Sequence, residues 1–147
     1  MSVLLTVHDL LPAEEAGLVD AGLDASNALA APLQDVAPLS CFARLPSGAV
    51  IGGAVGRTWG ASCCELQQLW VDAAQRRQGI GAGLVRAFET RAHARGCSTF
   101  YLQTFSFQAP SLYRSLGYDV ALALEGFAPG IVKYTMVRRS ARRETGA

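Results

Sequence analysis

The spacing of apolar residues changes several times along this chain, and the changes mark out its elements. Residues 3–7 are a run of valine and leucine broken only by Thr6, which predicts a first strand. Pro12-Ala13-Glu14-Glu15 then predicts a helix start. Proline suits the first turn, where its missing N–H costs nothing, and the two acids complement the helix dipole. Leu18, Val19, Leu23 and Leu29 follow at loose helical spacing, with Gly17 and Gly22 among them, so one broken helix or two short ones are expected. Pro32 and Pro38 bracket a polar loop. Residues 40–45 and 49–58 read as strands around Pro46-Ser47-Gly48, a turn in which Gly48 can take positive φ. The second of these strands carries Gly52, Gly53 and Gly56, which signals a bulge or a close backbone approach. Residues 62–71 form the next strand. Unbulged alternation would put Glu65, Gln67, Leu69 and Val71 on one face and Cys64, Leu66, Gln68 and Trp70 on the other.

A helix over 79–95 has the clearest periodicity. Ile80, Leu84, Phe88 and Ala92 recur at i+4 as one apolar stripe, which leaves Arg86, Glu89, Thr90 and His93 on the outer face. Gly96 stands where a helix stop belongs. A strand over 98–104 completes a strand–helix–strand unit with a parallel pair. After it come a short helix over 108–117 stopped by Gly117, strands over 118–124 and 131–137, and Arg138, Arg139, Arg142 and Arg143 as a solvated basic tail. The pattern is that of an α/β chain with a mixed sheet flanked by helices.

Composition narrows the classes of function. At 147 residues the chain fits one domain, here residues 1–139 with 140–147 as a frayed end, and half of it is hydrophobic. A net charge of +1 advertises neither a nucleic-acid surface nor a membrane patch. No apolar run approaches the roughly 20 residues of a membrane span, and Asp9, Glu14 and Glu15 come too early for a signal peptide. A soluble cytoplasmic protein is expected. Of the four cysteines, Cys63 and Cys64 are adjacent and none forms Cys-x-x-Cys, so no metal site is expected. A thiol nucleophile would need His8 or His93 beside it.

The candidate chemistry lies in residues 69–84. An apolar strand end, Leu69-Trp70-Val71, runs through Arg76-Arg77-Gln78 into Gly79-Ile80-Gly81-Ala82-Gly83-Leu84 at a helix start. Alternate glycines leave backbone N–H groups uncovered at a helix N-terminus, which suits a phosphate, and the two arginines add charge. The alternative is a turn in which glycine only permits close packing. No Gly-Lys-Ser/Thr follows, so this is not a P-loop, and Gly-x-Gly-x-Gly is a poor dinucleotide fingerprint.

Arg76-Arg77-Gln78-Gly79-Ile80-Gly81 after a Leu-Trp-Val-Asp strand end resembles the acetyl-CoA pyrophosphate loop of the GNAT superfamily of N-acetyltransferases. Ala109-x-x-x-Tyr113-x-x-x-Gly117-Tyr118 is similar to a second, independent element of that family. The segment 104–110 resembles a branch of small bacterial members, although Ser106 replaces an Asn that many members use on the cofactor. The resemblance spans essentially the whole chain. It implies a central, mostly antiparallel mixed sheet flanked by helices. It also implies acetyl-CoA as co-substrate on residues 69–71, 76–84, Ser106, Ala109 and Tyr113, with no metal.

It further implies acetyl transfer by direct attack of an amine, carried by a small molecule or a peptide. Tyr113 would then give a proton to the leaving thiolate. Glu65 is either the general base, directly or through water, or a structural carboxylate. A backbone N–H near residues 69–71 would hold the oxyanion. Asp20, Asp24 and Asn27 either meet a cationic acceptor or form a solvated helix face. GNAT proteins often dimerise through late strands, and the apolar 127–137 region fits that role or merely completes the core. The reading from another class is a GNAT-fold sensor or interaction module that binds an acyl-CoA without turnover.

Overall fold

The computed structural model of the protein describes residues 2–30 and 35–140. The chain resolves into two compact units, Met1–Gln34 and Asp35–Ala147.

In the first unit, residues 3–7 form no strand; a strand needs a ladder partner, and these side chains stay exposed, Val7 at 95%. Helix α1 spans Ala13–Ala28 without a break, although Gly17 and Gly22 lie inside it. Five alanines and the acidic first turn offset two glycines that cost about 1 kcal/mol each. The helix buries none of its residues, so Asp20, Asp24 and Asn27 are exposed along with Leu18, Val19 and Leu23. The expected loop from Pro32 to Pro38 is not seen as such: Pro32 lies outside the described residues, and Pro38 sits within the edge strand β1 (Val36–Arg44). An edge is where proline is tolerated in a sheet.

The second unit is built on one six-stranded sheet. Its strands are β1, β2 (Val50–Trp59), β3 (Cys63–Val71), β4 (Thr99–Phe105), β5 (Asp119–Leu124) and β6 (Lys133–Arg139), in the order β1-β2-β3-β4-β6-β5. Only β3 and β4 pair in parallel, and helix α2 (Ile80–Ala94) makes their crossover. Helix α3 (Pro110–Ser115), with proline in its first turn, connects β4 to β5. Glycines stop both crossing elements, Gly96 at φ +102° and Gly117 at φ +95°. Gly48 takes φ +88° in the first hairpin.

The core lies between α2 and the sheet. Leu84, Val85, Phe88 and Ala92 of the helix pack with Leu39, Ala54, Cys64, Leu66, Phe100, Leu102 and Met136, and Tyr113 and Tyr118 close one end. Glu89 also faces inward, 8% exposed, against the expectation of an outer face. Ladder partners pass from Val55↔Gln68 to Gly56↔Leu66, so Gln67 is an extra residue in β3. The bulge reverses the expected alternation beyond it: Leu69 and Val71 join Cys64 and Leu66 on the core side, and Glu65 does not share their face. At the same level β2 comes close enough that a Cβ on Gly56 would collide with the Glu65 carbonyl and stand 2.8 Å from the Phe88 ring. The expected basic tail is also different. Arg138 and Arg139 belong to β6, and Arg142 and Arg143 lie outside the described residues.

Candidate active site

β3 and β4 stay paired only from Cys63↔Thr99 to Leu66↔Leu102. Beyond that level the two parallel strands part. β4 continues on β6 to Phe105↔Lys133, while residues 68–71 keep β2 as their one ladder neighbour. The opening between them is a cleft of about 750 Å³. Backbone groups on the open edge of β3 have no strand to satisfy them, so an extended ligand with amide groups can pair there.

Leu69, Trp70 and Val71 wall one side of the cleft, and Gln103, Thr104, Phe107, Gln108, Ala109, Leu112 and Tyr113 wall the other. Gln108 is held by the Phe105 N–H, which donates to its Oε1 at 2.8 Å.

The start of α2 closes one end. Gly79 is the N-cap in the left-handed region, φ +76°, and it carries no side chain to cap the helix. The first intrahelical bond is donated by Gly83 to the Gly79 carbonyl at 3.0 Å, so the N–H groups of Ile80, Gly81 and Ala82, at the positive end of the helix, have no partner among the described residues. Arg77 itself takes φ +62°, which is strained for a non-glycine residue. Arg76 folds back to donate from Nε to the Val71 carbonyl at 3.1 Å, which ties its guanidinium to the end of β3 in the same cleft. Packing does not demand glycine in the helix start. A Cβ on Gly81 would meet only ordinary contacts, Leu112 Cδ2 at 3.5 Å and Val71 Cγ2 at 3.8 Å, and one on Gly83 would meet nothing. An anion with two or three acceptor oxygens fits this arrangement.

Tyr113, 7% exposed, projects from α3 at the far wall. Burial pushes its phenol up to about 12, so it stays protonated near neutral pH. Its hydroxyl makes no hydrogen bond to the described residues, and its ring packs edge-on against Tyr118 with centroids 6.0 Å apart.

Not every residue expected in the site lines the cleft. Gln78, Gly83, Leu84, Ser106 and Glu65 are outside its walls. Leu84 is a core residue. Ser106 clamps the β5–β6 connection: its Oγ accepts from the Val132 N–H at 3.1 Å and its own N–H donates to the Val132 carbonyl at 2.8 Å. Glu65 has both carboxylate oxygens engaged, Oε1 by Arg57 Nε at 2.8 Å and Oε2 by the Tyr101 hydroxyl at 3.1 Å. Conversely, Gln103, Thr104, Phe107, Gln108 and Leu112 line the cleft without having been expected there. The parallel register was the signal for them, since residues across the splay from Gln67–Val71 must fall at and beyond Gln103.

Burial raises all four thiols, Cys64 to about 12, which disfavours the thiolate that a nucleophile needs. Among the described residues no cluster of His, Cys, Asp and Glu could hold a metal ion, and no helix is long and apolar enough to cross a membrane.

Residues 7–118 match the sequence profile described as the acetyltransferase (GNAT) family. The chain belongs to the GNAT family. This member is 35% identical over 111 residues to the blasticidin-S acetyltransferase of Streptomyces morookaense, a match covering 74% of this chain and 78% of that one. An acetyltransferase from Bacillus cereus has the same fold, with a TM-score of 0.80 at 24% identity over 92% of this chain and 98% of the other. The fold is shared as well by an aminoglycoside 6'-N-acetyltransferase complexed with coenzyme A, with a TM-score of 0.63 at 20% identity over 72% and 74% of the two chains. As a GNAT protein this chain is an acyltransferase.

Proposed function

We propose that the protein moves an acetyl group from acetyl-CoA to a primary amine by direct attack, and that the cleft between β3 and β4 is where this happens. The observation that carries the reading is the junction of an unsatisfied strand edge with an uncapped, glycine-rich helix start. Coenzyme A has the amides of its pantetheine arm for the first and a pyrophosphate for the second.

The residues divide the work. The amides of Ile80, Gly81 and Ala82, with Arg76 and Arg77, bind the pyrophosphate. Residues 69–71 hold the arm by its amides, and a backbone N–H there stabilises the tetrahedral oxyanion. Ala109 keeps the opposite wall low. Tyr113, whose phenol is protonated at neutral pH, gives its proton to the departing sulfur. The amine must lose a proton, since a group of ordinary pKa is charged at pH 7. Glu65 is assigned that task through water, because it lies outside the cleft walls.

The competing reading, a domain that binds an acyl-CoA without turnover, is separated by one assay. Purified protein is given acetyl-CoA and a panel of amines that includes blasticidin S, aminoglycosides, amino acids and peptides, and released thiol is measured. Amine-dependent thiol release supports transfer; tight binding of acetyl-CoA with no release for any amine supports the binding module.

A further inference from the structure

Glu89 is a carboxylate in the middle of α2 and is almost fully buried. One of its oxygens collects three donors. Arg138 of β6 reaches Oε2 through Nε at 2.7 Å and also through Nη2, and the Tyr118 hydroxyl donates to the same atom at 3.3 Å. The arginine is itself fixed. Its guanidinium lies 4.5 Å from the centroid of the Phe100 ring, and its stem lies in the space left by Gly117, where a Cβ would stand 3.2 Å from Arg138 Cδ.

Tyr118 passes this rigidity on. Its ring meets Tyr113 edge-on at an interplanar angle of 69°, and its N–H donates to the Tyr113 carbonyl at 3.0 Å. Helix α3 is six residues long and has no side-chain cap, so it gives Tyr113 little rigidity of its own. A buried ion pair contributes little net stability, because desolvation of both charges offsets their attraction. What it does supply is direction: a guanidinium and a phenol converging on one oxygen admit few arrangements.

We infer that Glu89 and Arg138, acting through Tyr118, are positioning residues that aim the Tyr113 hydroxyl into the cleft. The inference rests on the reading of Tyr113 as proton donor. Tyr118 and Glu89 do not line the cleft, so their effect is on geometry and not on ligand contact. A misplacement of about 1 Å in a reacting group can cost on the order of a hundredfold in rate, and a loosened ring loses part of that.

The test is a double-mutant cycle on single-turnover rates with acetyl-CoA and an accepted amine, alongside calorimetric binding of coenzyme A. Tyr118→Phe removes one hydroxyl and keeps the packing. It is expected to slow acetyl transfer roughly five- to tenfold with unchanged coenzyme A affinity. Glu89→Gln, which also uncouples Arg138, should slow it at least as much. In a Tyr113→Phe background neither substitution should slow transfer further. If Glu89→Gln fails to fold, Tyr118→Phe alone completes the cycle. Parental rates in Tyr118→Phe beside an impaired Tyr113→Phe would overturn the positioning role and spare the donor. So would a loss that persists undiminished without the Tyr113 hydroxyl. A parental rate in Tyr113→Phe would overturn the donor itself, and the positioning role with it.

Discussion

Placing a carboxylate at residue 81 separates folding from cofactor binding more cleanly than any other change in the cleft. Gly81 is the second residue of α2, its φ is not positive, and a Cβ there stands at least 3.5 Å from every neighbour. Gly81→Asp should therefore fold. A carboxylate in a first helical turn even gains about 0.3–1 kcal/mol from the dipole, so the melting point without ligand should hold or rise. The same carboxylate would face a bound pyrophosphate. Two unit charges 4 Å apart interact by about 4 kcal/mol at an effective dielectric of 20. Solvent at this half-exposed helix end screens that to about 1.5–3 kcal/mol, a tenfold to hundredfold loss of affinity.

The assay is thermal unfolding with and without acetyl-CoA. At a ligand concentration 100 times Kd the parent gains about 2.7 kcal/mol, which for a chain of this size is roughly 5–10 °C. A hundredfold weaker variant at the same concentration gains about 0.4 kcal/mol, on the order of 1 °C. Gly81→Ala is the control and should keep most of the shift. A parental shift in Gly81→Asp would refute the assignment of this helix start to the pyrophosphate.

Other outcomes follow from the same structure. Tyr113→Phe should lower the rate of acetyl transfer by roughly a hundredfold while leaving coenzyme A affinity nearly unchanged, read by single turnover and calorimetry. Because burial raises Tyr113 to about 12, its deprotonation should leave no mark on the rate profile between pH 7 and 10, and a tyrosine-dependent fall inside that window would contradict the buried phenol. Glu65→Gln should lose activity that is partly recovered at higher pH, where the amine deprotonates unaided; an equal loss at every pH would remove the base role from Glu65. Stability should fall in alkali. Tyr113 and Tyr118 both have raised folded-state values, so above about pH 10 the unfolded chain releases protons that the folded chain keeps, and denaturant midpoints should decline from there upward. As for assembly, a dimer through the 127–137 region predicts sedimentation above the monomer mass at micromolar concentration, and a monomer at high micromolar concentration would exclude it.

The amino-acid sequence by itself determined the parts whose conformation is set locally. Gly79, Gly96 and Gly117 marked a helix start and two stops, because only glycine enters the left-handed region at no steric cost. The i+4 stripe located α2, and the crossover it makes required β3 and β4 to be parallel. The spacing from Ala109 to Gly117 singled out Tyr113 through its resemblance to an element of the GNAT family.

What the tertiary structure decided was which way side chains face and what they meet there. The Gln67 bulge moved Leu69 and Val71 to the core side, because the ladder of β2 slips by one residue next to Gly56, a relation between strands that strict alternation cannot contain. Glu89 looked solvated from its position on the helical wheel. It is buried because a guanidinium 49 residues later in the chain arrives to pair with it. Nothing in the sequence showed that Arg57 and Tyr101, on the two neighbouring strands, hold the two carboxylate oxygens of Glu65. Residues 3–7 had the composition of a strand but no ladder partner among the described residues, and hydrogen bonding between strands, not propensity, makes the element. Partners distant in sequence carry no periodic signal, so burial, charge pairing and the exact lining of the cleft became visible only in three dimensions.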